Sequence, residues 1–127
     1  TNWSTKKATP LVISNSTSLE EKILSENVYK GITATAGGFY GPQGRVLRLP
    51  LQDAELNNKI DSFEFKEHKI TNLEMETSAI YGLAKLLGHN AASMNAIIAN
   101  RANGTFSQTP KKTVEDLIIY TLNKLVE

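Results

Sequence analysis

The stretch Ile70-Thr-Asn-Leu-Glu-Met-Glu-Thr-Ser-Ala-Ile80-Tyr-Gly-Leu-Ala-Lys-Leu-Leu-Gly88 decides the fold class. Its first five residues, Ile70 to Glu74, read as a short extended segment. Ile80, Leu83, Ala84 and Leu87 then recur at spacings of three and four, the mark of a helix that buries one face. Gly88 suits the C-terminal end of that helix. The stretch therefore predicts a strand running into a helix, with Asn72-Leu-Glu-Met-Glu-Thr77 at the junction.

The same alternation continues outward. Upstream, Tyr29 to Thr35 reads as a strand that enters a loop rich in glycine and aromatics, Gly37-Gly-Phe-Tyr-Gly-Pro-Gln-Gly-Arg45. Residues 51–61 form a weak helix candidate. Further upstream, Leu11 to Ser14 is a short apolar run read as a strand. Ser18-Leu-Glu-Glu21 has the capping-box pattern, which predicts a helix to about Asn27. Residues 1–9 are polar and read as a loop or frayed end. Downstream, Met94 to Ala99 reads as a strand covered on both sides, and it ends in Asn100-Arg101. Thr109-Pro110 offers an N-cap and a proline in the first turn. Val114, Leu117, Ile118, Thr121, Leu122 and Leu125 mark an amphipathic last helix. Strands alternating with helices predict an α/β fold with a mostly parallel or mixed sheet flanked by helices.

Composition bounds the function. A chain of 127 residues is one domain as a prior. With 14 basic against 13 acidic residues the net charge is +1, which argues against a nucleic-acid binder that relies on bulk phosphate attraction. The absence of cysteine removes disulfides, thiolate nucleophiles and Cys-based zinc sites. Two histidines, His68 and His89, are too few for a His-rich metal site and read as structural or surface residues. No apolar run approaches the roughly 20 residues of a membrane helix, and no signal-peptide pattern opens the chain. These points predict a soluble, cytoplasmic protein. Sequons at Asn2, Asn15 and Asn103 carry little weight in that setting, and Asn103-Gly-Thr105 reads as a flexible loop.

Three segments hold residues suited to chemistry. In the Gly37–Arg45 loop, Phe39 can stack on a flat heterocycle, Gln43 offers one donor and one acceptor group, and Arg45 offers a rigid fork of donors. The same residues also describe a glycine turn with a core Phe and a surface Arg. The glycines fit neither a dinucleotide fingerprint nor a Walker loop. At the strand–helix junction, Glu74 and Glu76 can hold vicinal hydroxyls through charge-assisted hydrogen bonds, and Met75 can pack on a sugar. They equally describe solvated charges and a core filler. The third segment, Ile97-Ile-Ala-Asn-Arg101, puts a polar pair at the carboxyl end of an apolar strand, where open α/β sheets bind ligands; the plain reading is a strand end with a surface Arg. The chain has only three arginines, Arg45, Arg48 and Arg101, and two of them fall in these segments.

Four anchors in order, Gly31-Ile-Thr-Ala-Thr35, Phe39-Tyr-Gly-Pro-Gln-Gly-Arg45, Leu73-Glu-Met-Glu-Thr-Ser-Ala79 and Ile97-Ile-Ala-Asn-Arg101, resemble the nucleoside phosphorylase family from about Tyr29 to the C-terminus. The uridine-cleaving branch is the most similar. The Glu-Met-Glu segment marks the family as a whole. The Phe-Tyr…Gln-x-Arg loop and the Asn-Arg strand end look like the uridine branch, since purine-cleaving relatives usually carry Asp at the position of Asn100. The resemblance implies reversible phosphorolysis of uridine to uracil and ribose 1-phosphate, with no cofactor and no metal and with inorganic phosphate as co-substrate. It implies uracil contacts from Phe39, Gln43, Arg45 and Arg101, and ribose contacts from Glu74, Met75 and Glu76. No residue is given a certain catalytic role, and Arg48 stays outside the site.

The family's phosphate site draws on arginines and a Gly-Thr/Ser segment from the first half of the chain, and on an arginine from a neighbouring subunit. Residues 1–30 contain no arginine. The resemblance thus implies that residues 1–127 are the C-terminal half of one phosphorylase domain, part of a central mixed sheet flanked by helices. Its expected partners are a pyrimidine nucleoside, phosphate, the missing N-terminal half and further copies of the chain, with neither nucleic acid nor membrane. Alone the chain is expected to be inactive. Two alternatives stay open: a hydrolytic nucleosidase of the same fold, and a non-catalytic nucleoside-binding or assembly module.

Overall fold

A computed structural model describes residues 9–127. The elements in chain order are α1 (Thr17–Ile23), β1 (Ile32–Thr35), α2 (Leu56–Asp61), β2 (Glu64–Phe65), β3 (His68–Glu74), α3 (Thr77–Leu86), β4 (Ala99–Asn100), β5 (Thr105–Phe106) and α4 (Pro110–Val126). The fold is α/β with a small mixed sheet, as the alternation of strand and helix patterns predicts. The chain divides into two compact units. One joins Thr1–Ile13 to Lys30–Ala79, and the other joins Ser14–Tyr29 to Ile80–Glu127. The expectation of a loop or frayed end over residues 1–9 lies almost wholly outside the described residues.

The first unit is built on a sheet of order β1-β3-β2. Strands β1 and β3 run parallel, with Thr33 opposite Asn72, Ala34 opposite Leu73 and Thr35 opposite Glu74. Between Ile32 and Thr33 the register shifts, so one step on β1 spans two on β3 and Thr71 is the extra residue. Gly31 faces that bulge. A Cβ on Gly31 would lie 1.8 Å from Thr71 Oγ1, so only a hydrogen fits. The strand starts at Ile32 and not at Tyr29, which is 95% exposed. Strand β2 pairs antiparallel with β3 through a two-residue turn in which Lys66 has φ 55°. The turn has no glycine, and for that reason nothing in the sequence announced the hairpin.

In the second unit α1 packs on α4. Helix α1 starts two residues earlier than the capping-box pattern implies. Its N-cap is Ser16, and Ser18 lies inside the helix. The Ser16 hydroxyl donates to Asn90 Oδ1 at 2.9 Å instead of capping its own helix. The helix also stops at Ile23, short of Asn27, and the Tyr120 hydroxyl donates to the Ile23 carbonyl at 2.7 Å. The apolar run Leu11–Ser14 forms no strand; Val12 is 87% exposed and no neighbour offers it a ladder. Helix α3 ends as expected at Gly88, which takes a left-handed φ of 73°.

The expectation of a doubly covered strand over Met94–Ala99 is corrected. Only Ala99 and Asn100 are in a strand, paired antiparallel with Phe106 and Thr105. Ile97 is 54% exposed. A strand buried on both faces needs ladder partners along its length, and among the described residues no strand pairs with 94–98; the Ser107 N–H reaches only the Ile98 carbonyl, at 2.7 Å. The expected flexible loop at Asn103–Thr105 is instead the closure of this hairpin. Asn103 Oδ1 accepts the Thr105 N–H at 3.1 Å and Gly104 has φ 73°. Among the described residues only Ile23 and Leu56 are buried apolar side chains.

Candidate functional site

Two of the three candidate segments leave the carboxyl ends of neighbouring parallel strands. β1 ends at Thr35 and continues into the Gly37–Arg45 loop, while β3 ends at Glu74 and continues into Met75-Glu76. The Ala36 N–H donates to the Glu74 carbonyl at 2.8 Å, which keeps the two exits side by side. The carboxyl ends of parallel strands are where open α/β sheets bind ligands.

The first segment folds on itself. The Tyr40 carbonyl accepts from the N–H groups of Gln43 (3.1 Å) and Arg45 (3.0 Å), and a single 3-10 turn covers Gly41–Gln43. Gly44 closes the turn with φ 69°; a Cβ there would also strike the Asn57 carboxamide at 2.6 Å. The loop brings Arg45 onto both Phe39 and Gln43. Arg45 lies over the Phe39 ring, 3.8 Å from its centroid. Its Nη1 donates to the Phe39 carbonyl and to Gln43 Oε1. Gln43 is only 5% exposed, whereas Phe39 is 51% exposed. Phe39 is thus on the surface and not in a core, and Arg45 is held by bonds within the loop.

The second segment separates two carboxylates that look alike in the sequence. Glu74 turns inward. One oxygen, Oε1, accepts from the Thr35 hydroxyl. The other, Oε2, accepts the N–H groups of Glu76 (2.7 Å) and Thr77 (2.6 Å) at the start of α3. Partial burial raises its pKa, and the hydrogen bonds from Thr35, Glu76 and Thr77 outweigh this, leaving the carboxyl below its ordinary value. Glu76 is exposed. The only described hydrogen bond to its carboxylate comes from the Met75 N–H to Oε2, at 3.3 Å. Met75 is 38% exposed.

Arg101, the remaining sequence candidate, lies in the β4–β5 turn of the second unit. Asn100 beside it caps that turn, its Oδ1 accepting the N–H groups of Ala102 (3.0 Å) and Asn103 (3.3 Å). Two residues of the first unit escaped sequence reasoning. Thr35 ends β1 and bonds both Glu74 and the Ser78 N–H (3.0 Å). Thr77 is 4% exposed. Their signal was the pairing of two strand ends, which a single sequence does not display. Among the described residues no group of three or more His, Asp or Glu side chains is placed to hold a metal ion, and no helix is long and apolar enough to cross a membrane.

Comparison with known proteins supplies the relation. The sequence matches the family model of the phosphorylase superfamily over residues 8–126. It is 33% identical over 82 residues to a uridine phosphorylase of Thermococcus kodakarensis, a match that covers 65% of this chain and 29% of that protein. No solved structure matches it. The family match runs over nearly the whole chain and includes both strand exits, and on that ground the chain belongs to the phosphorylase superfamily.

Proposed function

We propose that this chain supplies the uracil- and ribose-recognition part of a uridine phosphorylase, a pentosyltransferase that interconverts uridine and phosphate with uracil and ribose 1-phosphate. The observation that carries the reading is the pair of strand exits, one presenting an Arg–Gln–Phe cluster and the other an exposed Glu–Met pair. The similarity to a uridine phosphorylase points the same way.

In this reading the Glu76 carboxylate accepts hydrogen bonds from the ribose 2′- and 3′-hydroxyls, and Met75 packs on the sugar. Arg45 uses Nη1 for its two internal bonds, so its Nε and Nη2 donors are the ones turned to uracil. Gln43 reaches the base by rotating its carboxamide out of the loop, and the exposed edge of Phe39 walls the base. Phosphate attacks C1′ as the base leaves through a transition state with oxocarbenium character. The donors on the base side accept the negative charge that grows on uracil.

Phosphate is the co-substrate, and no cofactor is required. Its binding residues belong to the N-terminal half of the domain, carried outside residues 1–127, and to a neighbouring subunit of a homo-oligomer working in the cytoplasm. The exposure of Leu83 (59%), Ile118 (52%) and Leu122 (57%) supports the need for further protein against this chain. The test is uracil release from uridine by the complete natural protein, with and without phosphate. Release that requires phosphate is expected. Release that proceeds equally well in water alone makes the protein a nucleosidase, and uridine binding without release makes it a binding module.

A further inference from the structure

We propose that Glu74 and Thr35 form a clasp that positions Glu76, so that Glu74 is a positioning residue and not a contact to the sugar. The inference rests on the uridine reading above for its functional consequence, and on geometry for its structural one. It revises the ribose role expected for Glu74 from the resemblance.

The geometry is a closed circuit between the two strand exits. Thr35 and Glu74 are register partners, the last residues of β1 and β3. The Thr35 hydroxyl donates to Glu74 Oε1 and accepts the Ser78 N–H at 3.0 Å. Glu74 Oε2 takes the N–H groups of Glu76 and Thr77, two donors that the first turn of α3 cannot satisfy within itself. Residues 74, 77 and 78 are thus tied down on both sides of Met75-Glu76. The backbone N–H of Glu76 is itself one of the bonded groups, which fixes where its side chain departs. Both Glu74 oxygens are occupied from inside the protein. A ribose hydroxyl approaching Glu74 would have to compete with backbone N–H groups held at 2.6–2.7 Å. The acid of this pair that faces solvent is Glu76. The lowered pKa of Glu74 agrees with a carboxylate that stays charged to hold its donors.

The division of labour makes distinct claims for each side chain. The clasp needs acceptors at Glu74, and a carboxamide supplies one: Glu74→Gln can keep its oxygen on the Glu76 and Thr77 N–H groups and donate its NH₂ to the Thr35 oxygen. A carboxylate that bound two hydroxyls directly would lose more on the same change.

The experiment uses the complete natural protein with Glu74→Ala, Glu74→Gln, Thr35→Val, Thr35→Ser, Glu76→Ala and the double variant Glu74→Ala/Glu76→Ala. For uridine, Glu74→Ala is expected to lower kcat/KM about tenfold, the worth of roughly one charged hydrogen bond. Glu74→Gln and Thr35→Ser are expected to recover most of what Glu74→Ala and Thr35→Val lose. The double variant should be little worse than Glu76→Ala alone, because Glu74 acts through Glu76. The loss from Glu74→Ala should also shrink for 2′,3′-dideoxyuridine, an outcome that general unfolding would not produce. Additive losses in the double variant, or full activity in Glu74→Ala, overturn the proposal. Amide hydrogen exchange keeps the geometric claim separate from the enzymatic one. Glu74→Ala should deprotect the amides of Glu76 and Thr77, and Thr35→Val that of Ser78. If the unmodified protein leaves uridine uncleaved yet shows this protection pattern, the uridine reading fails and the clasp stands. Unchanged protection in the variants overturns the clasp whatever the activity.

Discussion

Glu76 and Gly31 are the two single residues on which most depends. Glu76 is the exposed carboxylate at the exit of β3. If it holds the ribose hydroxyls, Glu76→Ala in the complete enzyme loses at least about tenfold in kcat/KM for uridine, since ~1.4 kcal/mol is a factor of ten. A variant that cleaves uridine as well as its parent would refute the ribose role. Gly31 depends on sterics alone. Its missing Cβ leaves room for Thr71, the bulged residue of β3. Gly31→Ala puts a methyl against all three side-chain heavy atoms of that threonine, at 1.8–2.8 Å, so a rotamer change of Thr71 cannot clear it. Overpacking of this sort costs about 1–3 kcal/mol. Urea denaturation should show this loss, and Thr71→Gly in the same background should restore part of it. An additive double variant would show that the two residues do not clash in solution.

At the scale of elements, the junction of β3 and α3 is an acid-sensitive joint. Glu74 has a pKa below the ordinary 4.5 in the folded chain. The folded state therefore binds this proton less readily than the unfolded state. The stability that Glu74 contributes is fully present above about pH 4.5 and is lost as pH falls through the lower folded value. Denaturation midpoints measured between neutral pH and about pH 3 should fall, and Glu74→Gln should remove its share of that slope. An identical pH dependence in the Gln variant would mean that the carboxylate is not held as described. The β4–β5 hairpin makes a contrasting joint. It is closed by side chains of its own loop, Asn100 and Asn103. Asn100 therefore has a local structural task in this turn.

For the molecule as a whole, the exposed apolar surface is the dominant fact. Exposed apolar side chains recur on α3 and α4, including Leu86 (84%) and Ile119 (58%). A surface of that kind favours association over a free monomer. The purified 127-residue chain is expected to sediment in a concentration-dependent way and to release no uracil from uridine and phosphate. Concentration-independent monomer behaviour would count against the half-domain reading, and phosphorolysis by the chain alone would overturn it.

The sequence by itself determined the strand-to-helix passage at residues 70–88, the last helix from Pro110, the α/β class and the family. These are short-range properties: periodicity, a capping proline and four motifs in order. It also named Phe39, Gln43 and Arg45, which the structure brings into contact because six residues and a glycine turn suffice to close that loop. Only the tertiary structure decided which glutamate faces inward, since the choice depends on Thr35, 39 residues away in sequence. The bulge at Thr71 was invisible for the same reason, since a register exists only between strands, and the turn at Lys66 was invisible because it holds no glycine. The apolar run at 94–99 went the other way. Its composition suits a buried strand, but a strand is buried by its neighbours, and among the described residues only a two-residue partner is there to pair with it.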